Sequence, residues 1–196
     1  VFYLPAFHSN DHVVSKAGRG EYALYHGNLA VGENNRAAIY LVEHVFSKLE
    51  IPCIIAGNNP SAALKAAAKK YSNVKLAFNI AAQEVLRLIE HAHINILYTF
   101  QNTGIKLKML NALYRGRFCV VNDLMVVNSG LEEYCQVVDA STVQAEMKRL
   151  WNEEFTEDDV IHRQKLDISE FNNTVNAKKL MGKFDLSPAL VMQTKV

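Results

Sequence analysis

The densest chemistry in this 196-residue chain lies between Thr99 and Gly116. A short apolar run ends at Thr99, the turn Phe100-Gln101-Asn102-Thr103-Gly104 is polar and small, and a helical stripe follows at once from Ile105. In a strand, turn and helix of this kind, the backbone N–H groups of Thr103, Gly104 and Ile105 lack intrahelical partners and point past the first turn. That is the geometry a phosphate or diphosphate requires. Lys106 and Lys108 add positive charge in the same turn. Cations there oppose the helix dipole, which favours a bound anion; the same two lysines also fit a solvated helix face, and the sequence leaves both readings open. Further candidates follow other apolar runs: His26-Gly27-Asn28, Gly57-Asn58-Asn59, Asn79-Ile80 and Asn122-Asp123. Glycine lets a ligand approach the backbone, and asparagine offers a donor and an acceptor without charge, so this rim suits a polar, hydroxylated ligand.

Positioning such loops together needs a particular frame. Short apolar runs at 22–26, 53–56, 74–78, 94–99, 118–122 and 135–138 alternate with helical stripes, and most lack polar alternation, as buried parallel strands do. The pattern predicts an α/β, Rossmann-like three-layer domain with a six-stranded mostly parallel sheet and C-terminal helices. In an open parallel sheet the ligand crevice lies outside the carboxyl ends of the strands, where the candidate loops fall. Ala38, Leu41, Val42, Val45, Phe46 and Leu49 form the first helical stripe, with Asn34 or Asn35 as its cap. Pro60 and Ser61 can start the second, alanine-rich helix, which runs through Lys65 toward Tyr71. Ala82, Val85, Leu86 and Ile89 form the third, and Met109, Leu110 and Leu113 the fourth, stopped by Gly116. Beyond the sixth strand, Ser141 with Gln144 suggests a capping box, and a further helix begins near Thr156. Trp151, Phe155, Ile161, Leu166, Phe171 and Leu180 are expected to clamp this helical tail onto the domain. The expected division is an N-terminal segment and linker at 1–20, the Rossmann-like domain with its helices at 21–185, and a flexible tail at 186–196.

The segment 99–116, with Tyr25-His26-Gly27-Asn28-Leu29 and Gly32-Glu33-Asn34, resembles the nucleotide-sugar-binding domain of GT-B glycosyltransferases of the group-1/family-4-like kind. The resemblance covers roughly residues 22 to 183. That family commonly runs Lys, two apolar residues, Glu, three mostly apolar residues, a small residue and Gly before a buried strand. Lys108-Met109-Leu110-Asn111-Ala112-Leu113-Tyr114-Arg115-Gly116 keeps the spacing before Phe118 to Val121. The family's ribose-binding Glu is Asn111 here, and a basic residue often found after the second strand is Asn58. The resemblance implies donor-site roles by position: Gly27, Asn28, Gly57 and Asn58 on the rim, Asn79 and Ile80 near the nucleobase, and Asn111 near the ribose. Phe100 and Gln101 would lie near the transferred sugar, and Thr103, Gly104, Ile105, Lys106 and Lys108 near the diphosphate. It further implies a nucleotide-diphosphate sugar as donor substrate, no separate cofactor or metal, and no catalytic residue assignable in this half. The acceptor, a glycan or lipid-linked sugar, would be held by an N-terminal domain outside this chain, with Val1 to His8 as either the end of that domain or the connection to it. The alternative is a noncatalytic Rossmann-like scaffold that has lost donor affinity.

Other chemistries find little footing. His8, Asp11 and His12 have a metal-like spacing without further ligands and read as surface residues. His91 reads as a helix C-terminal contact and His93 as a strand-edge side chain. His26 faces the predicted crevice, and either a structural hydrogen bond or a ligand contact fits it. Ser9, Ser15, Ser129 and Ser141 lack the G-x-S-x-G setting of a hydrolase. There is no GxxxxGK[ST] loop, and Gly27 to Gly32 is too widely spaced for GxGxxG. An NAD site would also need a carboxylate where Asn58 and Asn59 stand. Cys53, Cys119 and Cys135 have no CxxC spacing and read as buried reduced thiols. A net charge of +1 with 21% charged residues, and no interleaving of aromatic with basic residues, argues against nucleic acid. No run approaches the ~20 apolar residues of a membrane span. The expected location is cytoplasmic, peripheral to the inner face of a membrane if the acceptor is lipid-linked.

Overall fold

Side-chain alternation along the strands decides the layering. In β1 (Ala23–His26), Ala23 and Tyr25 enter one core and Leu24 enters another on the opposite face. The computed structural model describes residues 4–102 and 107–183. β1, β2 (Cys53–Gly57), β3 (Val74–Phe78), β4 (Ile94–Leu97), β5 (Phe118–Asn122) and β6 (Gln136–Val138) form one sheet. Their order is β3-β2-β1-β4-β5-β6, and every pairing is parallel. The chain therefore reverses its direction of travel across the sheet between β1 and β4, which opens a crevice at their carboxyl ends.

Helices cover both faces. On one lie α1 (Gly32–Tyr40), α2 (Ala62–Ala68) and α6 (Val143–Asn152), packing through Ala37, Ala38, Leu64, Ala67, Val143, Met147 and Leu150. On the other lie α3 (Ala82–His91), α4 (Leu107–Arg115) and the short α5 (Asp123–Val126), packing through Ile89, Met109, Leu113, Met125 and Val126. α7 (Glu157–Gln164) and α8 (Asn173–Lys183) complete the chain's described part. Arg163 of α7 is buried, and its guanidinium donates to the carbonyls of Leu113 at 2.8 Å, Arg117 at 3.2 Å and Tyr134 at 3.5 Å. The guanidinium's five donors let one side chain serve carbonyls from three segments.

Strand and helix positions match the sequence reading to within one or two residues at most ends, and Ser61 caps α2 by accepting from Leu64 N–H at 3.1 Å. Several local expectations fail for identifiable reasons. α1 starts at Gly32 without a side-chain cap; Asn34 and Asn35 sit inside its first turn, serving Asn28 and Ser61 instead. The first stripe is buried as expected, but the helix widens into a π turn at Leu41–Val45 and tightens into a 3-10 turn at Phe46–Lys48. Ser141 makes no capping box, because both its N–H and its hydroxyl donate to Asp139 at 2.7 Å. Gln144 instead reaches the His44 carbonyl. The box is at Thr156, reciprocated by Asp159. Phe155, Leu166 and Phe171 clamp as expected and Trp151 packs against the core, whereas Ile161 is 60% exposed and clamps nothing.

The polar stretch 10–20 is not solvated along its length. Asn10, Val13 and Ser15 are buried, Val14 N–H donates to the Tyr114 carbonyl at 2.7 Å, and Gly18 bridges Phe155. His8 is not a surface residue either: its Nε2 meets the Phe171 carbonyl at 2.8 Å and its ring packs edgewise on Tyr114. His93 is no edge side chain but is 1% exposed, with Nδ1 accepting from Gly20 N–H and Nε2 donating to the carbonyls of Leu150 and Glu153. His91 does contact its own helix end, at the Arg87 carbonyl. The expected tail, 186–196, lies outside the described residues.

Candidate functional site

A cleft of about 370 Å³ opens at the carboxyl ends of β1, β2 and β3. Its floor is backbone. Gly27 follows β1, Gly57 ends β2, and a Cβ built on Gly57 would stand 1.9 Å from the Gly27 carbonyl oxygen. Only glycine lets the two strand tips approach this closely. One wall is apolar and comes from the start of α3: Ile80, Ala82, Val85 and Leu86, with Ala56 beneath. The polar side is formed by Asn28, Asn58, Ser9, His26 and Asn111. No carboxylate belongs to the described lining.

His26 is the unusual member. It is 5% exposed, and its Nε2 has no hydrogen-bond partner among the described residues. Burial and the nearby Lys108 ammonium push its pKa down to about 3, so the ring is neutral under ordinary conditions. Lys108 is held at this end of β1: its Nζ donates to Asn34 Oδ1 at 3.3 Å and stands 5.7 Å from the centre of the Tyr25 ring. Asn34 in turn donates to the Asn28 carbonyl at 3.0 Å.

Asn111 faces the cleft from α4, yet its Oδ1 already accepts from Asn10 Nδ2 at 2.9 Å. Asn10 Oδ1 accepts from Arg115 Nε at 2.7 Å, and Arg115 reaches Glu90 of α3 at 2.6 Å. A polar chain thus runs from the N-terminal segment past the cleft to the back of α3.

The loop after β4 is set by a residue that the family resemblance includes but gives no role. Glu33 of α1 accepts from Phe100 N–H at 2.6 Å and from Thr99 Oγ1 at 3.4 Å. Asn122 ties the same loop to β5, accepting from Thr99 N–H at 3.1 Å and donating to the Thr99 carbonyl at 2.8 Å. Arg36 lies over the Phe100 ring at 4.4 Å.

Of the predicted site residues, the fold brings Gly27, Asn28, Gly57, Asn58, Ile80 and Asn111 into one cleft, with Lys108 beside it. Asn79 does not line it; at φ +56° it turns the chain after β3 and accepts from Asn59 N–H at 3.5 Å. Phe100 and Gln101 sit in the Glu33-bound loop, away from the cleft lining. Thr103, Gly104, Ile105 and Lys106 lie outside the described residues. Ser9, Ala82, Val85 and Leu86 were missed as lining. The α3 residues had a legible helical period that marked them as core, whereas Ser9 carried no signal. Among the described residues no group of three or more His, Cys, Asp or Glu side chains could hold a metal ion, and no helix is long and apolar enough to cross a membrane.

No family model matches the sequence, and no curated protein does. Solved structures share its fold. A UDP-forming α,α-trehalose-phosphate synthase from Burkholderia xenovorans, in complex with glucose-6-phosphate, is 14% identical, with a TM-score of 0.60 over 83% of this chain and 43% of that one. A glycosyltransferase from Rickettsia africae ESF-5 is 8% identical, with a TM-score of 0.64 over 88% and 48%. AviGT4, a glycosyltransferase involved in avilamycin A biosynthesis, is 12% identical, with a TM-score of 0.59 over 90% and 55%. At these identities the likeness is one of fold, the Rossmann-like GT-B fold, and the chain spans about half the length of these structures.

Proposed function

We propose that this chain is the donor-binding half of a glycosyltransferase, taking a nucleotide-diphosphate sugar and presenting it to an acceptor held by a preceding domain. The observation that carries the proposal is the cleft. It lies at the carboxyl end of a 3-2-1-4-5-6 parallel sheet, has a glycine floor and one apolar wall, and is flanked by an ammonium. A flat base fits against Ile80, Val85 and Leu86, and the ribose then lies toward Asn111 and Asn58. The diphosphate extends toward Lys108 and the start of α4. Transfer requires stabilisation of the negative charge that develops on the departing diphosphate. Lys108, with Lys106 and the backbone N–H groups of 103–105, would supply it without a separate cofactor. The acceptor, a glycan or lipid-linked sugar, and the remaining catalytic groups belong to the other domain, so this half binds donor and transfers poorly by itself.

A noncatalytic scaffold is the second reading, and one observation favours it: the Asn111 oxygen that would meet a ribose is already paired with Asn10. Calorimetry with UDP, GDP, ADP, their sugar conjugates and NAD separates the two. A selective diphosphate response supports donor binding. Absence of any response at millimolar ligand supports the scaffold, and a response to NAD alone refutes both. Within the first reading, Lys108→Ala weakens diphosphate binding. Asn111→Glu preserves or improves it, because a carboxylate can serve Asn10 with one oxygen and a ribose with the other. Unchanged affinity in Lys108→Ala would remove that ammonium from the phosphate site.

A further inference from the structure

A buried imidazole nitrogen without a partner is costly, because the group has left water and received nothing in exchange. His26 carries such a nitrogen at the end of β1 and lines the cleft. It is the only side-chain atom so placed among the described residues that also lines this cleft; the other unpartnered buried atoms belong to Asn95 and Asn176, which do not. We infer that His26 Nε2 is a ligand-binding group, completed by a hydrogen bond to an oxygen in the sugar–phosphate part of a bound nucleotide. The inference rests on the donor-site reading above and deepens it by naming a residue and the moiety it recognises.

Geometry selects that moiety. The base has the apolar wall, whereas His26 shares its end of β1 with the Lys108 ammonium, which is fixed there by Asn34. An oxygen-rich group lying between Gly27 and Lys108 meets both. The uncharged imidazole contributes direction rather than charge, offering either an N–H or a lone pair according to its tautomer. The unliganded protein therefore holds a destabilising group in reserve, and the ligand relieves it.

Three variants of the full chain test this. His26→Leu keeps the volume and removes the polar atom; His26→Gln restores a polar group near the Nε2 position; Lys108→Ala keeps the imidazole. Binding is measured by calorimetry with uridine and UDP, and with the guanosine and adenosine pairs, alongside thermal melts at pH 7.5 without ligand. The 15N shift of His26 Nε2 is followed by NMR. The expected result is at least a roughly tenfold loss of nucleoside diphosphate affinity in His26→Leu, largely recovered in His26→Gln. The unliganded His26→Leu protein should melt no lower than wild type, and the Nε2 resonance should move on binding. A structural histidine would give the opposite pattern, a lower melting temperature with unchanged affinity. If wild type binds a diphosphate and neither the affinity of His26→Leu nor the Nε2 shift changes, His26 is not a ligand group while the donor-site reading stands. If wild type binds none of the nucleotides, the donor-site reading itself fails and takes this inference with it. Should His26→Leu fail to fold, the NMR shift and His26→Gln decide alone.

Discussion

Replacing Glu33 by Ala removes the carboxylate that holds the loop after β4. Its Oε1 accepts from Phe100 N–H at 2.6 Å, and a hydrogen bond to a charged acceptor contributes about 1.5–3 kcal/mol. The Thr99 hydroxyl adds little, since its one proton is shared between Glu33 at 3.4 Å and the Gln101 carbonyl at 3.1 Å. Phe100 is half-buried, so water recovers part of the loss and the lower end of the range is expected. The opening is local, so it registers in the exchange of that amide rather than in global unfolding. Glu33→Ala should speed Phe100 amide exchange about tenfold, and at most about 150-fold. Glu33→Gln keeps a neutral acceptor, so its effect is roughly half as large in free energy, about fourfold in rate. Amide exchange followed by NMR gives the answer, with the β1 amides of Ala23 to His26 as an internal control that should not change. Equal Phe100 protection in wild type and Glu33→Ala would refute the idea that α1 sets this loop.

Other expectations concern the cleft floor and its histidine. Gly57→Ala must push the β1 and β2 tips apart and should cost roughly 2–4 kcal/mol, lowering Tm by about 5–15 °C. Gly32→Ala meets nothing within 4 Å at the start of α1 and should leave Tm within a few degrees or raise it, so similar melts for the two variants would contradict the close approach. His26 has its pKa lowered from 6.5 in the unfolded chain to about 3 when folded, so the unfolded state holds more protons between those values. Its contribution is fully present above pH 6.5 and is lost as pH falls toward 3, with a slope of up to about 1.4 kcal/mol per pH unit. His26→Leu should therefore gain on wild type in urea midpoint between pH 7.5 and pH 4.5; a constant difference between the two proteins would show that His26 does not titrate this way.

The frame of this protein was legible because its signals are redundant. Each strand is a buried apolar run, each crossover carries a helical stripe, and a shift of two residues at an end changes neither. The strand-end rule then selected Gly27, Asn28, Gly57, Asn58 and Ile80, and the family resemblance alone added Asn111 from within a helix. What escaped depends on single side chains choosing between partners. Ser141 followed by Gln144 looks like a cap, but Asp139, two residues before Ser141, takes both of its donors. Asn34 looks like a cap, but Asn28 and Lys108 claim its amide. His8, Asn10 and Ser15 look solvated because their neighbours in sequence are polar, while their partners lie about 100 or more residues away in α4 and α8. Glu33 has no local mark distinguishing a loop anchor from an ordinary first-turn carboxylate. Tertiary hydrogen bonds of this kind carry no period.

The open sheet leaves two edges, β3 and β6, each with a row of backbone groups on which another chain could build. β6 is three residues long, too short to template an added strand, and its last residue is buried. β3 is five residues long, but Lys75 projects from it into water and Lys65 of α2 stands over the Phe78 ring at 5.3 Å. Two lysines thus guard the longer edge against the strand addition that a parallel α/β sheet invites while it is folding. Lys75→Val would set Val74 through Phe78 as an uninterrupted apolar run on an open edge. Light scattering during refolding should then detect aggregates that form faster with rising protein concentration, while the folded fraction keeps its cleft, because Lys75 does not line it.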